Sequence, residues 1–297
     1  IIPTQTTSIR VHGPLKEDIM AEYALSMDGR TAYMEMAAAS GLTLVPQYRR
    51  NPMVTTTYGV GEMIADVVRR GCKTIIMGLG GSATCDGGRG MIMALRDNDC
   101  LNPDCDVIAA CDVSNPLFGR NGAAYIFAPQ KGATPEQVAL LDNHLRTFAR
   151  ETELAGIASP SLADYPGAGA AGGLGYALLA YLKAELHSGI DIMLDLANFD
   201  EAIKDADLVV TGEGKSDEQT LMGKVPHGVL RRCKKLGVPV WLLSGSIEDT
   251  SGILTKSFDF IRSINDGDNR PISVLLQADV AKENLTKTMK NLIIKRQ

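Results

Sequence analysis

From residue 199 to residue 249 the chain reads FDEAIKDADLVVTGEGKSDEQTLMGKVPHGVLRRCKKLGVPVWLLSGSIED. A helical pattern, an apolar strand, a glycine-rich loop, a second helix, a second strand and a further loop follow in turn. Parallel strands need a crossover between them, and a helix supplies it, so this alternation predicts a parallel α/β sheet. In such sheets ligands bind in the loops at the carboxyl ends of the strands. TGEGKSDEQTLMGK (211–224) is one of those loops.

Residues 1–195 read as one mixed α/β unit and residues 196–297 as part of a doubly wound one. TSIRVHG and EYALSMDGRTAYMEMA predict strands, with Asp28 and Gly29 marking a hairpin turn. Val60, Ile64, Val67 and Val68 share one face of a helix that Gly71 closes. KTIIMGL and CDVIAACDV predict buried strands, and GMIMALR a short helix between them. Thr134, Pro135 and Gln137 form a capping-box pattern at the start of a long amphipathic helix. PGAGAAGGLG (166–175) is expected to open a helix running through Leu186, and NLTKTMKNLIIKRQ to form a last one.

The core must be aliphatic, since aromatic residues make up 5% of the chain and Trp241 is its one tryptophan. A net charge of −5 argues against non-specific binding to nucleic acid or to an anionic membrane. No apolar stretch approaches the roughly eighteen residues of a membrane span, and no secretory signal is visible. The cysteines form no CxxC pair. Cys100, Cys105 and Cys111 are close in sequence but have no histidine among them, so free thiols are expected. That usage suits a cytoplasmic setting. Because the chain starts at Ile1 within a strand-like pattern, a preceding segment is expected.

Three glycine-rich loops carry the functional signal. GAGAAG (Gly167, Gly169, Gly172) fits GxGxxG, with Asp191 and Asp195 about twenty residues on, but no strand precedes it. It reads equally as close helix packing. GLGGSA (Gly78, Gly80, Ala83) follows a strand, yet Asp86 comes soon after and would repel a bare pyrophosphate. Asp86 therefore points to a Mg²⁺-bound phosphate or a hydroxylated substrate, or else it caps the next helix. The loop at 211–224 is not a P-loop, since Val225 stands where a metal-binding Ser or Thr would be. It does place Glu213, Lys215, Asp217 and Lys224 at a strand end, which suits phosphoryl transfer. The alternative is a surface loop with incidental charges.

Taken together, the motifs resemble the bacterial glycerate kinase family. The resemblance rests on GPL (13–15), EMAAASGL (35–42), RNPMVTTTYGVGE (50–62), GLGGSATCDGGRGM (78–91), ACDVSNPLFGRNGAA (110–124), PQKGATPEQV (129–138), PGAGAAGGLGYALLAYL (166–182) and TGEGKSDEQTLMGKVPHGV (211–229). It implies ATP- and Mg²⁺-dependent phosphorylation of D-glycerate, with 2-phosphoglycerate the favoured product. It also implies a flavodoxin-like, doubly wound domain at 196–297, lacking an N-terminal portion, and an inserted, restriction-endonuclease-like mixed α/β domain at 1–195. Family members carry a longer loop between the positions of Arg96 and Cys105.

On this reading ATP-Mg²⁺ and glycerate meet in a cleft between the domains. Asp217 is the candidate general base or metal contact, Glu213 the second acid at the metal, and Lys224 the group that stabilises phosphoryl charge. Lys215 and Gly169 are candidate substrate or nucleotide contacts. Gly80, Gly81, Ser82 and Asp86 are expected to contact glycerate hydroxyls or the metal, and Asp112 and Asn115 substrate or metal. Arg50 is expected to hold the substrate carboxylate, since a guanidinium binds carboxylate in a bidentate way. A homodimer is one candidate assembly. Two rival readings are a nicotinamide-dependent dehydrogenase of a small hydroxy acid, which GLGGSA would serve, and a non-catalytic sugar-acid sensor.

Overall fold

The computed structural model describes residues 2–294. The chain divides into two compact units, Ile1–Gly189 and Ile190–Gln297.

Unit 1 begins with three antiparallel strands, β1 (Thr4–His12), β2 (Asp18–Ser26) and β3 (Thr31–Glu35). The Asp28-Gly29 turn joins the last two, as its sequence predicts. A short helix α1 (Ala37–Ser40) and helix α2 (Tyr58–Arg69) lead to β4 (Thr74–Gly78). Helix α3 (Arg89–Asp97) then crosses to β5 (Asp106–Ala110). Helices α4 (Ala123–Phe127), α5 (Pro135–Leu154) and α6 (Ala170–Leu182) precede β6 (Glu185–His187). The six strands form one sheet in chain order. It is antiparallel from β1 to β3 and parallel from β3 to β6.

The elements follow from their patterns. On α2, Val60, Met63, Ile64 and Val67 are fully buried at helical spacing. Thr134 accepts from the Gln137 backbone while the Gln137 side chain accepts from the Thr134 N–H, closing the capping box of α5. The core is aliphatic and rich in methionine, with Met36, Met63, Met77 and Met91 all wholly buried.

One expected element is shorter than predicted. The helix after residue 170 stops at Leu182, Lys183 turns left-handed, and residues 185–187 pair with β5 as a strand. Leu178, Leu182 and Leu186 share helical spacing, which is why the sequence reads as one helix. Pairing of Leu186 with Ala109 decides otherwise.

Unit 2 begins within α7 (Gly189–Leu196), one residue after its start, and continues with α8 (Phe199–Ile203). Ile190 and Leu194 pack into the unit 2 core, which is why the division falls slightly ahead of residue 195. Then come β7 (Val209–Thr211), β8 (Lys215–Ser216), α9 (Val225–Leu236), β9 (Val240–Ser244) and β10 (Ser246–Ile247). Helix α10 (Ile253–Ser257), β11 (Phe260–Ser263), α11 (Ile272–Leu275) and α12 (Ala278–Ile294) complete it. Strand β9 lies between β7 and β11, all parallel, with helices in the crossovers. A small parallel pair, β8 with β10, extends beyond the strand ends. No helix of the described residues is long and apolar enough to cross a membrane.

Candidate active site

In unit 2 the loop leaving β7 gathers an acid–lysine cluster. Glu213 Oε1 accepts from the hydroxyls of Ser216 and Thr220, and Ser216 Oγ is 2.6 Å from Ser244 Oγ at the end of β9. These bonds fix the carboxylate and leave Oε2 facing Lys224 Nζ at 3.9 Å. Lys224 Nζ also lies 3.7 Å from Asp217 Oδ1. Asp217 is held in turn, because it caps a short 3₁₀ turn and accepts from the Gln219 N–H at 3.0 Å.

Lys224 is the N-cap residue of α9. A cation is unfavourable at the positive end of a helix dipole. The two acids offset that here, and an anionic ligand would offset it further. Of the four residues singled out by sequence, Glu213, Asp217 and Lys224 converge. Lys215 does not: it forms an exposed ion pair with Glu248, 2.7 Å away, across the β8–β10 pair. Ser216, Thr220 and Ser244 are the residues that sequence reasoning missed, since hydroxyls carry no pattern until the strands align them.

Asp191 and Asp195 also have structural employment. Asp191 accepts from Arg231 at 2.7 and 2.8 Å, and Asp195 pairs with Arg232, so both tie α7 to α9.

In unit 1 the second gathering lies where β4 and β5 end side by side, Gly78 in register with Ala110. A cavity of about 380 Å³ there is lined by Gly80, Gly81, Ser82, Asp112 and Lys131, among others. The Asp112 carboxylate accepts from the Gly189 N–H at 2.7 Å. Lys131 was not anticipated. It is 2% exposed, and its Nζ donates to Ser82 Oγ and to the Thr84 carbonyl, each at 2.7 Å. Burial pushes its pKa down to about 8, with Cys85 and Asp86 opposing the shift. The sequence offers only PQKGA for it, a lysine ahead of a helix cap, and its burial is wholly tertiary.

Four of the expected site residues are engaged elsewhere or lie outside the cavity lining. Asp86 is a clamp: it accepts from Thr57 N (2.9 Å), Thr57 Oγ1 (2.8 Å), Gly88 N (3.0 Å) and Gly90 N (3.2 Å). Three of those bonds fall on Oδ2 and one on Oδ1; together they hold the starts of two helices, which supports the capping reading. Gly169 is a packing glycine. It is buried, its N–H donates to the Asn115 carbonyl, and a Cβ would lie 2.2 Å from the Pro116 carbonyl oxygen. Arg50 does not line the cavity; its Nε is buried without a hydrogen-bond partner among the described residues, and its backbone lies against Gly132. Asn115 is likewise outside the cavity lining, its amide donating to the Asn121 carbonyl.

The profile of the Glycerate kinase family matches residues 2–98 and 96–296. The chain belongs to the glycerate kinase family. The two matched segments meet at residues 96–98, where the resemblance implies a longer loop. The chain is 42% identical to a glycerate kinase of Bacillus cereus, over 96% of this chain and 81% of that one. It is 45% identical to glycerate 2-kinase of Escherichia coli K12, over 82% and 71% respectively. A crystal structure from Salmonella typhimurium LT2, provisionally named glycerate kinase 2, superposes with a TM-score of 0.77 at 36% identity. It covers 97% of this chain and 83% of its own. This member of the glycerate kinase family is thus an enzyme, a kinase, and the dehydrogenase and sensor readings fall away.

Proposed function

We propose that this kinase transfers the γ-phosphoryl group of ATP to D-glycerate, with Mg²⁺, to give 2-phosphoglycerate. The observation that carries the reading is the Lys224 ammonium held between Glu213 and Asp217 in the loop that leaves β7. The name of the Escherichia coli relative supports the 2-position. Three parallel strands with helical crossovers support reading unit 2 as the flavodoxin-like portion and unit 1 as the inserted one.

In the proposed step a glycerate hydroxyl oxygen attacks the γ-phosphorus, the bond to the ADP oxygen breaks, and the hydroxyl proton passes to Asp217. Lys224, aided by the positive end of α9, offsets charge on the transferred group. Glu213 is pre-oriented by the Ser216 and Thr220 hydroxyls, so no reorganisation is needed during the reaction. The donor set fits Mg²⁺ delivered with nucleotide, which needs only one or two protein carboxylates beside phosphate oxygens. Glu213 Oε2 is not used by the hydroxyl network and would hold the ion, which leaves Asp217 to take the proton. When bound, Mg²⁺ neutralises phosphate charge. Residues of unit 1, Gly80, Gly81, Ser82 and Asp112, are assigned to glycerate.

The test is ADP release coupled to D-glycerate. Release that depends on D-glycerate and Mg²⁺, and falls on substituting Lys224, is expected. ADP release indifferent to glycerate would refute the reading.

A further inference from the structure

The cavity at the ends of β4 and β5 contains a buried cation that the chemistry above does not use. An ammonium removed from water is costly unless its charge is answered. Lys131 is almost wholly buried, and its two acceptors, Ser82 Oγ and the Thr84 carbonyl, are both neutral. No carboxylate stands within ion-pair distance of it among the described residues. An ammonium has three protons to donate, and the third has no acceptor among the described residues.

The same cavity offers more donors. The N–H groups of Gly80, Gly81 and Ser82 make no hydrogen bond to the described residues, and Gly80 and Gly81 are exposed. A run of free backbone N–H groups beside a desolvated cation is an anion cradle. The charged group of opposite sign in the lining is Asp112. A carboxylate there accepts a hydroxyl proton readily but repels a polyanion. The lining therefore suits a small monoanion that also carries a hydroxyl, and disfavours a triphosphate.

Resting on the glycerate reading above, we infer that Lys131, with the N–H groups of Gly80 and Gly81, binds the carboxylate of D-glycerate while Asp112 accepts from one of its hydroxyls. Lys131 thereby takes the part expected of Arg50. The Ser82 hydroxyl is a positioning group that holds the ammonium in place. The burial that makes the charge costly without ligand also strengthens its attraction to a bound carboxylate, because few water dipoles screen it.

The experiment compares wild type with Lys131→Met in steady-state assays that vary D-glycerate and ATP separately. The expected result is a rise of about 10- to 150-fold in KM for D-glycerate, the span of one hydrogen bond to a charged group, with KM for ATP little changed. Unchanged KM for D-glycerate in an active variant would overturn the inference and leave the kinase reading standing. A rise confined to ATP would overturn it in favour of a nucleotide phosphate. Wild type that phosphorylates no glycerate would sink both.

Should Lys131→Met not fold, wild type answers alone. With ¹⁵Nζ-labelled lysine, Lys131 is the one buried lysine among the described residues, and burial sets its resonance apart. Saturating D-glycerate must shift that signal, and glycerol, which lacks the carboxylate, must not. A signal indifferent to D-glycerate would overturn the inference.

Discussion

The Asp86 carboxylate accepts from both the hydroxyl and the backbone N–H of Thr57, at 2.8 and 2.9 Å. With Gly88 and Gly90 it makes one side chain the common start of α2 and α3. Asp86→Ala should therefore cost about 2–4 kcal/mol of stability, more than a single cap, because several bonds to one charged group are lost together. Denaturant unfolding reads this directly. An unchanged midpoint combined with lost activity would restore Asp86 to the substrate.

Lys224 lies within 4 Å of two acids yet is only half-buried, so its pairs contribute little to folding. Lys224→Met should lower kcat by about 10²- to 10³-fold, the effect of removing one stabiliser of transition-state charge. Stability should change by less than about 1 kcal/mol. Lys215→Ala, which breaks only the exposed pair with Glu248, should leave kcat intact. Equal losses from both substitutions would show that the loop acts through its overall charge.

Lys131 gives the protein a distinctive pH dependence. Its pKa is about 8 in the folded chain and near 10.5 unfolded. Between those values the unfolded state holds one more proton, so stability rises with pH across that window. At about 1.4 kcal/mol per pH unit the gain is about 3 kcal/mol, and below pH 8 this contribution is flat. Other groups titrate there too, so the quantity to measure is wild type minus Lys131→Met. Parallel curves for the two proteins would contradict the assignment. In the wild type, KM for D-glycerate should climb above pH 8 as the ammonium loses its charge.

Gly172 lies in a left-handed stretch within α6, φ +70°, and a Cβ there would be 2.0 Å from the Thr84 carbonyl oxygen. Gly172→Ala should cost about 3 kcal/mol or more, from backbone strain and from displacement of the loop at 84–87. Thermal unfolding would register it, and a shift within error would mean that the two segments separate at little cost.

These cases show which parts were legible in sequence. Local chemistry was: the Asp28-Gly29 turn, the Thr134 capping box and the face of α2 depend on residues near one another in the chain. So was the convergence of Glu213, Asp217 and Lys224, because one loop at one strand end supplies all three. GAGAAG was ambiguous, since glycines that admit a phosphate and glycines that admit another backbone are the same residues. The role of Asp86 turned on Thr57, 29 positions away. Lys131 was illegible for the same reason: Ser82 and Thr84, remote in sequence, bury it and orient it. The false extension of α6 to Leu186 came from leucines whose helical spacing lost to strand pairing with β5.

The central claim is phosphoryl transfer to D-glycerate, and phosphorus NMR of the full-length protein with ATP, Mg²⁺ and D-glycerate tests it most directly. The account predicts a new phosphomonoester signal growing with ADP, its proton coupling showing attachment at the 2-position. Folded protein that leaves ATP unchanged would contradict it.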